Sequence, residues 1–152
     1  MEMEPGKEYW SLVEPIWDEV SVYDGPELFL RRFEAAPEAA RNLLAAHWLQ
    51  SEVRNGGFEQ FFENSSGMLA PEAEAAFRAL GMPETAGIVK RAMQLLLTPF
   101  PREQYKRCEQ LEGVHHDLWD LLDEKLFELI ESELGGFEQA ADTYARQSKL
   151  QE

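Results

Sequence analysis

The chain has 152 residues, enough to bury one sizeable core, and its 44% apolar and 11% aromatic content excludes a disordered acidic tail. A formal charge of −15, from 29 acidic against 14 basic residues, repels phosphate backbones and anionic membranes, so direct nucleic-acid or membrane binding is not expected. No apolar run is long enough to cross a bilayer, and Cys108 stands alone, which excludes an intramolecular disulfide and a cysteine-based metal knuckle.

The stretch Met1-Glu2-Met3-Glu4-Pro5-Gly6 has neither the basic region nor the apolar run of a signal peptide, and a cytoplasmic protein is expected. Tyr9, Trp10, Val13, Ile16, Trp17 and Val20 recur at helical spacing and predict a first helix over roughly residues 7 to 22, kinked or divided by Pro15. Asp24 with Pro26 marks the start of a short second helix through Leu28, Phe29, Arg32 and Phe33. Pro37 opens a third, with Ala40, Leu43, Leu44, His47 and Trp48 on one face, ending at Asn55-Gly56-Gly57. Phe58, Phe61 and Phe62 stand at i, i+3 and i+4 immediately after, so a further turn or two drives three rings back into the core before Ser65-Ser66-Gly67.

Pro71 and Gly81 bracket the next helix, with Ala73, Ala76, Phe77 and Leu80 inward, and Pro83 and Pro99 the one after it, containing Ile88, Val89, Ala92, Met93 and Leu96. A short helical piece around Glu103 to Cys108 and a break at Gly113 precede a long helix from about His116 to Leu134. Gly135-Gly136 ends it, and a last helix reaches about Ser148. Nothing alternates with period two over a useful length, and the expected architecture is all-α, a single-domain irregular bundle of about eight helices over residues 1–152.

On the long helix, a step of 100° per residue places Asp117, Asp120, Glu124, Glu128 and Glu131 in one narrow sector. Leu118, Trp119, Leu122, Leu126, Leu129 and Ile130 fall on the other side, and Lys125 points off the acidic wall. The wall is roughly 21 Å long at about 1.5 Å per residue. Like charges at these spacings each cost roughly 0.2–0.5 kcal/mol, which cations from a partner would relieve. A solvated face is the ordinary alternative. A second acidic cluster, with Glu14, Asp18 and Glu19 on the first helix and Asp24 and Glu27 following, would broaden the surface if folding brings it alongside.

Two other constellations have weaker chemical content. His115, His116, Glu112, Asp117 and Asp120 crowd together, and His116 with Asp120 has the i, i+4 spacing of paired metal ligands, but no HExxH or cysteine cluster accompanies them. No metal or cofactor is expected. His47, Glu52, Asn55, Gln60, Glu63 and Asn64 could converge around the double-glycine turn into a polar pocket. Without a GxSxG elbow, a phosphate-cradling loop or a nucleophile paired to a base, no catalytic residue is assigned and no enzyme is expected.

The stretch Asn55-Gly56-Gly57-Phe58-Glu59-Gln60-Phe61-Phe62-Glu63-Asn64, with the Ala-Leu-Gly ending at Gly81, resembles the bacterial DNA-mimic protein domain family, long catalogued as a domain of unknown function. The resemblance runs over most of the chain after about Ala40. It implies an all-α fold, room for homodimerisation, no enzyme activity, and an acidic surface that occupies the DNA-binding site of a transcriptional regulator. No functional residue carries over from the motif, whose glycines and aromatics build the fold; the wall Asp117, Asp120, Glu124, Glu128 and Glu131, with Glu14 and Asp18, is the candidate partner-binding set read from periodicity. The expected partner is a basic DNA-binding protein. The alternatives are an immunity or antitoxin-like protein against a basic toxin or nuclease, and a hydrolase or metal-dependent enzyme centred on His47 or His116.

Overall fold

The computed structural model of the chain describes residues 4–151. Met1, Met3 and Glu2, part of the N-terminal stretch read for a targeting signal, lie outside the described residues. Among the described residues there are eight α-helices and no strand: α1 (Lys7–Val13), α2 (Pro26–Ala35), α3 (Glu38–Glu63), α4 (Ala70–Ala79), α5 (Pro83–Met93), α6 (Gln104–Leu111), α7 (His116–Ser132) and α8 (Phe137–Leu150). No described helix is long and apolar enough to cross a membrane.

The first helix is shorter than its hydrophobic period suggests. It stops at Val13 and gives way to a 3-10 turn, Glu14–Ile16, because Pro15 has no amide to donate and its ring crowds the carbonyl four residues back. Ile16 and Val20 are buried all the same, so the apolar period is satisfied by turns rather than by helix. Glu14, Asp18 and Glu19 therefore do not share a helix face: Glu14 starts the 3-10 turn, and Asp18 and Glu19 sit in the irregular segment after it. The second helix begins at Pro26 with Gly25 as its cap, and Asp24 instead ends a preceding 3-10 turn and pairs with Arg32 at 3.2 Å.

α3 is the central element. It packs against α4, α7, α6, α1 and α8, and contributes Leu43, Leu44, Leu49, Val53, Phe58, Phe61 and Phe62 to one hydrophobic core, all fully buried. At Gly57 its backbone leaves helical geometry, with φ 80° and ψ 177°, so the helix has two limbs with Phe58 opening the second. The three phenylalanines turn inward as their spacing predicts. Phe62 lies 5.6 Å from the Trp119 ring of α7 and 5.9 Å from Phe100, and full burial of such a ring contributes roughly 1.5–3 kcal/mol.

Charged side chains tie the helix ends together. The Asp142 carboxylate of α8 accepts the Gly6 amide at 2.8 Å and the Tyr9 amide at 3.0 Å, capping the start of α1. Glu133, just past α7, accepts the Glu84 and Thr85 amides at 2.8 Å and so caps α5. Arg107 of α6 is fully buried, and no carboxylate pairs with it among the described residues. Its guanidinium donates to the Phe62 carbonyl at 2.8 Å, to the Asn64 carbonyl at 2.8 Å and to the Pro101 and Arg102 carbonyls. A cation thus satisfies the orphan carbonyls where α3 ends, at the negative end of its dipole. Gly67 leaves room for it: a side-chain carbon there would collide with the Phe61 carbonyl and approach Arg107 Nε to 2.9 Å.

Candidate functional site

The acidic stripe of α7 survives folding as a solvent-facing wall. Asp117, Asp120, Glu124, Glu128 and Glu131 are all exposed, while Trp119, Leu122, Leu126 and Ile130 on the opposite side are buried against α3 and α5. Elsewhere some acids of this chain are matched by bases, Glu8 with Arg146, Glu72 with Arg102, Glu74 with Arg78 and Glu27 with Arg31. Among the described residues no lysine or arginine pairs with any of the five wall carboxylates, and the half-buried Lys125 is not within ion-pair distance of them. His115 approaches Asp117 to 3.6 Å, but its Nδ1 accepts the Asp117 amide at 3.1 Å and acts as the N-cap of α7.

One expectation for this helix is corrected. Leu118 does not belong to the buried face; it is 46% exposed, as Leu121 is 50% and Phe127 is 37%. At 100° from Asp117, Leu118 lies at the margin of the apolar sector.

The N-terminal acids are carried by a different part of the bundle. α7 packs on α3, α5 and α8, whereas α1, which leads into the Glu14 turn, packs on α8 and α3. Glu14 and Asp18 are exposed, but Arg32 neutralises Asp24 beside them and donates to the Glu19 carbonyl at 3.4 Å. α1 and α7 are both packed on α3 and α8.

Asp123, also on α7, has a different task. Its Oδ1 accepts the Phe58 amide at 2.8 Å, the first free amide of the second limb of α3, so it caps that limb from another helix. Burial pushes its carboxyl above the ordinary carboxylate range against the opposing Phe58 hydrogen bond, and the charges of Asp120 and Glu59 add to the rise. Periodicity gave one hint: at 240° from Asp117 it points away from the wall and toward the core.

The polar residues around the glycine turn converge only in part. Glu52 Oε2 accepts Gln60 Nε2 and Asn64 Nδ2, each at 3.2 Å, which splints the two limbs of α3. His47 and Asn55 line a cleft of about 630 Å³ with Tyr9, Gln50, Glu52 and Glu138, while Glu63 belongs to a separate cleft beside Cys108 and His116. His47 Nδ1 is joined to the Tyr9 hydroxyl at 3.0 Å, with the Trp10 and Trp17 rings 5.1 and 5.7 Å away. Burial lowers the His47 pKa to about 4 and raises that of Tyr9 to about 12, so both stay neutral across the physiological range. The pair ties α1 to α3.

His116 turns to Glu59 of α3, with Nδ1 and Oε2 3.0 Å apart. Among the described residues no group of three or more His, Cys, Asp or Glu side chains is arranged to hold a metal ion.

A family model described as DMP19-like protein matches residues 34–148, from the last turn of α2 to the last turn of α8. The match takes in the Gly57 break, the Arg107 cage and the whole of α7, and leaves Glu14 and Asp18 outside it. No curated protein and no solved structure matches the chain.

Proposed function

The chain belongs to the DMP19-like protein family, and on that premise we propose that it is a cytoplasmic interaction protein whose α7 carboxylates occupy the basic surface of a DNA-binding protein, such as a transcriptional regulator, in place of DNA. It binds and does not catalyse. The observation that carries this reading is the exposed row Asp117, Asp120, Glu124, Glu128 and Glu131, without a lysine or arginine partner among the described residues. Repulsion within the row is a standing cost that a cationic partner converts into charge-assisted hydrogen bonds. The net charge of −15 steers basic proteins toward the chain and opposes direct contact with nucleic acid.

The test is capture from host lysate by the wild-type chain and by an Asp120→Lys, Glu124→Lys, Glu128→Lys variant, at low and moderate salt, with duplex DNA as competitor. A DNA-binding protein should be retained by the wild type, released by added duplex, and lost by the variant. A partner that duplex does not release would mean that the wall engages a basic protein outside its DNA site, as an immunity protein does. Equal retention by the variant removes α7 from the interaction.

A further inference from the structure

The outer face of α7 is not uniformly polar. Leu121, 50% exposed, borders the row formed by Asp117, Glu124 and Glu128, and Leu118, 46% exposed, lies one helical turn from it with the half-buried Lys125 between them in angle. Phe127, 37% exposed, borders the opposite edge beside Asp120 and Glu131. Single exposed leucines are ordinary, but these three share one helix face with unpaired carboxylates between them. A surface that only stands in for a phosphate row has no use for leucine, since phosphates are held by hydrogen bonds and cations.

We propose that the element seated on α7 is a basic amphipathic helix, whose apolar residues cover Leu118 and Leu121 while its flanking lysines and arginines meet Asp117, Glu124 and Glu128. This rests on the reading of α7 as the partner-binding face and adds the chemistry of the partner. Charge complementarity selects the occupant: a second copy of this chain would bring α7 against α7 and set unpaired carboxylates opposite one another, and a flexible basic arm would neutralise the row but leave the leucines wet. The wall is roughly 21 Å long, which a partner helix of about 14 residues spans.

The test uses the full chain and two labelled peptides, read by fluorescence anisotropy at about 0.15 M salt. One peptide has leucines at i, i+3, i+4 and i+7 with lysine rows on both flanks. The other has the same lysines with alanine in place of leucine, a change that does not lower helix propensity. The leucine peptide should bind about tenfold more tightly or better, and a Leu118→Ala, Leu121→Ala chain should lose that advantage while still binding the alanine peptide. A Glu124→Lys, Glu128→Lys chain should bind both peptides more weakly. Equal affinity of the two peptides, binding of neither, or an advantage that survives the double alanine variant overturns the proposal. If the proposal fails while duplex DNA still displaces a captured regulator, DNA mimicry stands alone; if the peptides behave as stated and duplex displaces nothing, the helix-docking face stands and mimicry falls.

Discussion

Asp123 accepts the Phe58 amide at 2.8 Å, and by doing so one helix starts another: the second limb of α3 has its first turn capped by a carboxylate of α7, 65 residues away. The charge is not what the contact needs, because burial already disfavours it. Asp123→Asn should change stability by less than about 1 kcal/mol, whereas Asp123→Ala, which strands the Phe58 amide, should cost about 1–3 kcal/mol. Urea denaturation of the two variants checks this; equal losses would show that the charge matters rather than the acceptor.

The two glycines of the turn are not equivalent. Gly57 has φ of +80° and a side-chain carbon there would run into the Asp123 carboxylate, so Gly57→Ala should cost about 2–3 kcal/mol. Gly56 has no positive φ, and a carbon there meets the Gln60 side chain from its amide end back to Cβ at 2.9 Å, so Gln60 must swing aside. Gly56→Ala should stay within about 1 kcal/mol of the wild type, the helix-propensity gain offsetting the displaced Gln60. Thermal melts of both variants decide the matter.

Removing Arg107 uncovers carbonyls at the end of α3. Arg107→Met keeps much of the side-chain volume but leaves the Phe62 and Asn64 carbonyls without their donor, and should cost about 3 kcal/mol with an earlier loss of α3 protection in hydrogen exchange. A loss below about 1 kcal/mol would mean that water replaces the guanidinium.

His47 makes stability depend on pH in a defined direction. Its pKa falls from 6.5 to about 4 on folding, so the unfolded chain binds the proton first. The contribution is complete above pH 6.5 and is lost as pH falls toward 4, by on the order of 3 kcal/mol. Replacing His47 with glutamine should flatten the stability profile over that window relative to the wild type, while above pH 7 the two curves should run parallel. Profiles of identical slope between pH 6.5 and 4.5 would count against a buried neutral imidazole.

Glu124 stands between Asp120 and Glu128 at i−4 and i+4, so it carries two of the repulsions in the row. Glu124→Lys should raise the stability of the isolated chain by about 1 kcal/mol and at the same time weaken partner capture. That opposition of stability and binding is the signature of a charge row kept for a partner. Should the variant be both more stable and equally good at capture, the row is only a solvated face.

Fold class was legible in the sequence because helices announce themselves locally through apolar period and proline starts, but the glycine pair kinks α3 at Gly57 where a stop was expected, and α5 ends at Met93, short of the expected Pro99. The acidic wall was legible for the same reason, since the angle between two residues of one helix depends only on their separation. The first helix departs furthest, and a local rule also explains it: Pro15 outweighs the period that runs through it. What the sequence left open is which face meets which neighbour. Leu118 lies on the apolar side by angle yet is nearly half exposed, because burial depends on what packs against a face and not on its angle alone. The Asp123–Phe58 cap, the carbonyl cage around Arg107 and the Tyr9–His47 tie join residues far apart in the chain, and their partners exist only once the helices have packed. Short-range backbone preference determined the elements; the burial of apolar surface between them decided the rest.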